Sequence, residues 1–228
     1  MENLIFLQDV TMSFPHWVEP QTSKTDDGKD RVSYNGDFIM LPNHPGFLKF
    51  MEMFHKLFQE KFKEHAASAI NMVTNDRKSR CFGQGAEKIS KKTFAPYPDY
   101  VGNVFITAGN KNRPQMIMEN GKPAEGDLQI LHYARKLYAG CKVNAVVKPW
   151  VQENNKGIGI RCDPIAVQFA GVGTPIGEGH VDASGMFGAV TVAAPVAQPQ
   201  MPQLPFGAIQ PQPMSQPSGI PNFLFGGK

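Results

Sequence analysis

The uneven distribution of charge is the feature that most constrains how this chain can fold. Every acidic residue, and every basic residue except Lys228, lies at or before Asp182. From about Ala194 the sequence is rich in proline and glutamine and shows neither a helical nor a strand period. Proline fixes φ and removes a backbone donor, and the segment has too little contiguous apolar sequence to offset chain entropy. We therefore predict one folded domain over residues 1–182 and a flexible, disordered tail over residues 183–228.

The sequence shows no export or membrane signal. It contains no run of 18 apolar residues, and its start, Met1-Glu2-Asn3, lacks the basic and apolar regions of a signal peptide. We therefore expect a cytoplasmic protein that does not cross a membrane. Its three cysteines, Cys81, Cys141 and Cys162, are far apart, which fits neither a disulfide framework nor a zinc site. We predict reduced thiols, no bound metal and no cofactor.

Two strands are predicted near the start of the chain. In residues 3–14, Val10, Met12 and Phe14 alternate with polar residues, which predicts a half-buried strand with these three side chains on its buried face. Residues 32–41 form a second extended candidate. The pair Asn35-Gly36 leaves open a hairpin turn within it.

A long amphipathic helix is predicted over residues 46–66. Its apolar residues recur at spacings of three and four, which places them on one face that packs against the core. These residues are Phe47, Phe50, Met51, Phe54, Leu57, Phe58 and Phe62.

The remaining pattern is mostly of strands. Further strand signals lie at residues 101–107, 115–118, 140–151 and 164–171. We predict a mostly β fold, a small β-barrel such as an OB-fold, with the long helix inserted between early strands. Periodicity leaves an α+β sandwich open as the alternative.

Basic residues concentrate in a glycine-bearing segment from Arg77 to Lys92, where six cations face one acid, Glu87. This pattern is typical of an exposed solvated loop, and equally of a flexible arm that lies along phosphates. The sequence alone leaves both interpretations open.

The motifs of common enzymes are absent. The chain contains no HExxH zinc pattern, no GxxxxGK[ST] phosphate loop and no GxSxG nucleophile elbow. We therefore predict a binding protein and no catalytic residues. A metal-dependent nuclease built from dispersed carboxylates is the enzymatic alternative, which incubation of labelled single strands with Mg²⁺ or Mn²⁺ would reveal.

The segment from Cys141 to Trp150 carries the functional signal. As a strand it turns Cys141, Val143, Ala145 and Val147 to one face, while the other face is mainly basic and polar and ends in an aromatic ring. Lysines neutralise phosphates, and an exposed indole offers a surface on which any base can stack. The combination predicts sequence-tolerant binding of single-stranded nucleic acid.

Rings also lie beside cations elsewhere, around Trp17 and Tyr34 and between Tyr97 and Arg113. For any single ring, packing in the core is the competing interpretation. The candidate nucleic-acid-binding residues are Trp17, Tyr34, Tyr100, Lys111, Arg113, Tyr138, Lys142, Lys148 and Trp150.

Several segments resemble the bacteriophage single-stranded DNA-binding protein family with an OB-fold. They are VTMSFPHWVEP at 10–20, YNGDFIMLP at 34–42, YVGNVFITAGNKNRPQMI at 100–117, LYAGCKVNAVVKPW at 137–150 and DPIAVQFAGVGTPIG at 163–177. The stretch LYAGCKVNA is the most specific of them.

The resemblance covers roughly residues 4–180. It implies a five-stranded barrel whose groove holds extended single strands, with no catalytic centre and no cofactor. It further implies that the protein coats and protects single-stranded DNA in phage DNA replication and recombination, in the host cell cytoplasm. Whether such a protein would be a monomer or a dimer stays open.

Proteins of this functional type commonly carry an acidic C-terminal tail. This tail differs, because it has no acidic residue after Asp182. Docking of phage replication or recombination proteins would then use the apolar Phe223, Leu224 and Phe225. The alternative function is a protein-interaction or recombination accessory module that acts through this tail.

Overall fold

A computed structural model describes residues 3–24, 28–155 and 157–176. The predicted tail and the boundary at residue 182 lie outside this range, so both stay predictions. The strands are β1 (Ile5–Ser13), β2 (Gln21–Lys24), β3 (Asp30–Met40), β4 (Phe82–Gln84), β5 (Val104–Asn110), β6 (Gln115–Ile117), β7 (Lys142–Asn154) and β8 (Gly157–Gly171). The α-helices are α1 (Pro45–Phe62), α2 (Ala66–Asn75) and α3 (Gly126–Ala134).

One sheet contains all these strands, in the order β4-β5-β3-β1-β7-β8-β6, with β2 paired to β3. The five central strands, β5-β3-β1-β7-β8, are mutually antiparallel at every junction. The prediction of a mostly β fold with one long inserted helix is confirmed. The sheet is not a closed barrel in the described residues, and the OB-fold is itself a partly open five-stranded barrel.

The gap between β5 and β8 is bridged by the chain just before β4. The backbone N–H of Thr107 on β5 donates to the Cys81 carbonyl (2.7 Å), and the N–H of Ile160 on β8 donates to the Ser79 carbonyl (2.8 Å). We call residues 78–82 the seam segment. It joins the two ends of the five-stranded sheet through backbone hydrogen bonds.

The long helix closes one side of the core. It begins at Pro45, where the His44 imidazole accepts a hydrogen bond from the Gly46 N–H. Phe50, Phe54 and Phe58 are fully buried, and the other four predicted stripe residues are partly buried against the same cluster. The predicted stripe is therefore confirmed as core packing. The helix ends at Phe62, and a 3₁₀ turn leads into α2 where the prediction had a single helix to residue 66.

Two details of the early strands can be compared with the predictions. Residues 32–40 lie in one strand, β3, since Asn35 and Gly36 pair with Gly109 and Ala108 of β5, so the hairpin alternative is wrong. The placement of Phe14 on the buried face of β1 is also wrong. Its φ of 47° turns the chain out of the strand after Ser13, and its ring is partly exposed.

Candidate nucleic-acid interface

An open groove of about 1370 Å³ runs along one face of the sheet. Its floor is the face of β3 and β5, one wall is formed by residues 77–98, and one end is formed by the paired ends of β7 and β8. Among the five central strands, β3 and β5 are the second and third in chain order. In OB-folds the face of those two strands is the one that binds oligonucleotides.

Strand alternation explains the polar floor. Arg31, Ser33, Asn35 and Asp37 all line the groove, because every second side chain of β3 points to the same face. Thr107 of β5 lies directly across from Asp37 and extends the same surface. The floor therefore offers hydroxyl, amide and guanidinium groups within one open surface.

The groove is strongly cationic. Its lining contains seven Lys or Arg residues and two acids, Asp37 and Asp99. The seven cations are Arg31, Arg77, Arg80, Lys88, Lys91, Lys92 and Arg161. Such a surface attracts the phosphates of a nucleic acid.

These cations differ in how far they are already neutralised. Arg80 forms an ion pair with Glu87 at 2.9 Å, and Lys88 forms one with Asp37 at 2.5 Å. Arg31, Arg77 and Lys91 have no ion-pair partner within the described part of the chain. Arg161 has no ion-pair partner in this part of the chain either, but its guanidinium donates to the Ile160 and Lys78 carbonyls. The charges of Arg31, Arg77 and Lys91 are therefore the ones most available to phosphates.

A buried carboxylate fixes the centre of the floor. Asp37 accepts hydrogen bonds from the hydroxyls of Tyr100 and Thr107, each at 2.6 Å, in addition to its ion pair with Lys88. Burial, and then the charge of Asp37, raise the pKa of Tyr100, so its hydroxyl stays a donor. The Lys88 ammonium also lies 5.0 Å from the ring centroid of Phe105. Lys88 thus anchors the groove wall to the floor.

Three aromatic side chains line the groove: Phe14, Tyr97 and Trp150. The rings of Phe14 and Tyr97 pack edge to face with centroids 5.3 Å apart. Trp150 is 39% exposed, and its indole N–H donates to Asp163 Oδ1 at 2.9 Å, which fixes the ring orientation. Each ring can offer a face to an unpaired base.

A second cavity of about 430 Å³ continues the groove past Trp150. The two cavities share Arg31, Gln152 and Arg161. Lys78 adds a further cation to the second cavity. The cationic track therefore extends from the residue 88–97 region to the turn between β7 and β8.

Three of the predicted site residues come together outside the groove. The Arg113 guanidinium donates to the Trp17 carbonyl at 2.7 Å and lies 4.8 Å from the ring centroid of Tyr34. We call Trp17, Tyr34 and Arg113 the Trp17 cluster. The Trp17 ring is 1% exposed and packs so closely on Gly36 that a Cβ there would lie 2.7 Å from it. The assignment of Trp17 as a stacking residue is therefore corrected, because its ring belongs to the core.

The other predicted residues take separate positions. Tyr100 is fully buried below the groove floor, so its ring is also a core residue and that assignment is corrected as well. The Tyr138 hydroxyl donates to the Gly173 carbonyl at 2.9 Å, and Lys142 Nζ donates to Thr11 Oγ1 at 2.9 Å. Lys111 and Lys148 are exposed, and neither lines the groove. Trp150 alone among the nine candidates lines it.

The length of β7 explains why Trp150 separates from Lys142. Cys141, Val143, Ala145 and Val147 are buried as predicted, and up to Val147 the strand pairs with both β1 and β8. Beyond Val147 it pairs with β8 alone, after a register shift. Bulges and two-stranded ribbons twist more strongly than a central strand. Trp150 and Gln152, near the end of β7, therefore line the groove, while Lys142 and Lys148 do not.

Sequence reasoning missed several groove residues. It did not select Arg31, Arg161 or the cations of the 77–92 segment, although it recognised that segment as basic. The signal for the segment was present in its excess of positive charge. No periodicity in the sequence indicated that Arg161, from β8, would meet Arg31 of β3.

The cysteines form no disulfide: Cys81, Cys141 and Cys162 are all free and buried. Burial raises the pKa of Cys141 to about 11, and burial together with the neighbouring Cys81 raises that of Cys162. The thiols of Cys141 and Cys162 thus stay protonated at neutral pH. Over residues 3–24, 28–155 and 157–176, no group of three or more His, Cys, Asp or Glu side chains is placed to hold a metal, and no helix could span a membrane.

The comparisons with known proteins agree with this geometry. A family model described as the ssDNA-binding protein of Enterobacter phage Enc34 matches residues 3–196. The chain is 25% identical over 167 residues to a putative protein, p50, of Acyrthosiphon pisum secondary endosymbiont phage 1, with 72% of this chain and 82% of that protein aligned.

Two solved structures share the fold. The single-stranded DNA-binding protein from bacteriophage Enc34 in complex with ssDNA aligns with a TM-score of 0.57 at 22% identity, covering 77% of this chain and 90% of that one. A second structure of the phage Enc34 protein gives a TM-score of 0.56 at 22% identity, covering 80% and 88%.

Proposed function

This chain belongs to the family of the Enterobacter phage Enc34 single-stranded DNA-binding protein, and from that membership we propose that it binds single-stranded DNA without sequence preference. In this proposal the protein coats and protects single strands during phage DNA replication and recombination. It acts in the host cytoplasm, where those intermediates form.

The observation that carries the proposal is the combination of cations and rings in one concave surface. Seven cations and the rings of Phe14, Tyr97 and Trp150 share the groove. Phosphates are attracted by charge alone, and stacking on a ring accepts any base, so neither interaction reads sequence. A groove with both groups suits an extended single strand.

The arrangement also favours single strands over duplexes. Phosphates would lie along Arg31, Arg77 and Lys91, while bases turn to the rings of the groove. In a duplex the base faces are already stacked on their neighbours, so the rings have no free face to contact. The two kinds of contact are therefore available together only to an unpaired strand.

We propose further that the protein works by binding and carries out no catalytic step. The family to which it belongs is named for DNA binding. The groove contains cations that can contact phosphates and rings that can stack on bases. Incubation of labelled single strands with the protein and Mg²⁺ or Mn²⁺ tests this directly. Release of shorter products would contradict it.

The central experiment is a fluorescence titration with single-stranded and duplex oligonucleotides of matched length at two salt concentrations. We expect log affinity for single strands to fall linearly with log salt, by about 0.7 for each phosphate contact. Mixed sequences should bind with similar affinity. Equal affinity for the duplex would contradict the proposal.

The tail hypothesis stays a proposal of its own. Residues 183–228 would dock a partner through Phe223, Leu224 and Phe225, and the DNA-binding unit would end near residue 182. Deletion of residues 194–228 should then leave strand binding intact. Loss of strand binding in that variant would instead favour a module that acts through the tail.

A further inference from the structure

A short hairpin in the groove wall presents a phenylalanine to solvent. Residues 88–97, which we call the arm, are held as a hairpin by an antiparallel bridge between Ile89 and Pro96 and by a hydrogen bond from the Tyr97 N–H to the Lys88 carbonyl (3.0 Å). At its tip, Phe94 is 84% exposed. It is the most exposed aromatic ring in the described part of the chain.

The tip is an ordered turn. The Phe94 N–H donates to the Ser90 carbonyl at 3.0 Å, and the Ser90 hydroxyl accepts from the N–H groups of Lys92 (3.2 Å) and Thr93 (3.3 Å). Phe94 itself has a φ of 54°, in the left-handed region. A bulky residue rarely adopts this conformation, and such strain concentrates at binding sites. The turn therefore fixes the backbone at Phe94 so that its side chain projects into solvent.

The surroundings of Phe94 specify the chemistry of what it contacts. The arm contains Lys88, Lys91 and Lys92 and no acidic residue. Thr93 and Pro96, on either side of the tip, line the groove, and Phe94 lies next to this lining without being part of it. Lys88 is paired with Asp37, but Lys91 has no ion-pair partner among the described residues, so a phosphate on Lys91 would bring its base close to the Phe94 ring.

We infer that Phe94 stacks on a base of the bound strand and helps the protein to discriminate single strands from duplexes. The inference rests on the proposed function and adds one contact to it. An unpaired base can turn to meet the ring at the tip. A paired base would first have to leave its stack, which costs free energy, so the contact is made with single strands only.

The test uses the full chain with three substitutions, Phe94→Ala, Phe94→Leu and Phe94→Trp. The control is Leu128→Ala, since Leu128 is 87% exposed on α3 and does not line the groove. Affinities are measured for an oligothymidine and for a duplex of equal length, and thermal unfolding is recorded for each variant. Because Phe94 is exposed, its removal leaves no cavity.

We expect Phe94→Ala to weaken single-strand binding about fivefold or more and to leave duplex binding within about twofold. Phe94→Leu should weaken single-strand binding by the same factor, because leucine keeps the apolar bulk but lacks the flat ring. Phe94→Trp should bind like the wild type, and the added indole fluorescence should be quenched by oligothymidine. Leu128→Ala should change neither the affinity for the oligothymidine nor the affinity for the duplex.

Two results would overturn the inference while leaving the proposed function standing. One is wild-type binding by Phe94→Ala in an experiment where Trp150→Ala weakens it. The other is equal loss of single-strand and duplex binding, which would give the ring no part in discrimination. If the wild-type chain binds no single strand at all, both the inference and the proposed function fail.

Discussion

The groove and the Trp17 cluster contain the same types of residue and use them in opposite ways. In the cluster, the Arg113 guanidinium is held by the Trp17 carbonyl and the Tyr34 ring, and the Trp17 ring is buried. In the groove, Trp150 is partly exposed and Arg31 has no ion-pair partner among the described residues. A ring beside a cation therefore builds the fold in one place and stays available to a ligand in the other. Concavity and free charge distinguish the two.

The largest effect should come from the cluster. Trp17→Ala removes a buried ring and the hydrogen bond from its indole N–H to Met12 Sδ (2.9 Å), so we expect the free energy of unfolding to fall by about 3–5 kcal/mol. Chemical denaturation followed by circular dichroism measures this. A Trp17→Ala variant as stable as the wild type would remove the distinction between the two regions.

Next in size is the combined loss of the available groove cations. The triple substitution Arg31→Ala, Arg77→Ala and Lys91→Ala should reduce the slope of log affinity against log salt by about 2, and lower affinity about a hundredfold at low salt. Titration of single strands at several salt concentrations gives the slope.

The matched control for that variant changes three exposed cations that do not line the groove, Lys49, Lys122 and Arg135, to alanine. It removes the same net charge, so it separates local contacts from the total charge of the protein. An equal change of slope in the control would mean that the groove is not the path of the strand.

Trp150→Ala should weaken single-strand binding by about 1–2 kcal/mol, because one stacking surface is lost. Since the ring is partly exposed, we expect only a small change in unfolding free energy. Binding titration and denaturation of the same preparation test both statements. Unfolding comparable to that of Trp17→Ala would show that Trp150 also belongs to the core.

The smallest effect is expected from the part of the β7 face that lies outside the groove, at Lys142 and Lys148. Lys142→Ala and Lys148→Ala, which alter residues outside the groove lining, should change affinity by less than about twofold. The same titration measures them. A larger loss would extend the DNA path to this face and restore the role that the sequence predicted for both lysines.

The sequence predicted local structure better than it predicted the site. The stripe from Phe47 to Phe62 and the alternation from Cys141 to Val147 follow from the periods of a helix and a strand, and both are confirmed. Periodicity shows which face of an element is buried. It does not show which exposed face becomes concave, because that depends on how β7 twists beyond Val147 and on where the 77–98 wall lies.

The site residues that the sequence missed come from distant parts of the chain. Arg31, Lys91 and Arg161 belong to three different elements, and only the fold brings them to one surface. Trp150 was identified because its strand carried both the buried pattern and the ring. Tyr100 was misassigned because an aromatic residue near cations looks the same in sequence whether its ring is buried or exposed.

The seam segment has a consequence for how a ligand enters. The same residues that join β5 to β8 begin the wall of the groove, since Arg80 and Cys81 line it. Widening the channel at this wall would break the backbone hydrogen bonds that hold the two sheet ends together. The fold therefore sets the width of the channel beside the seam segment, and a bound polynucleotide would adapt its own flexible backbone to the channel there.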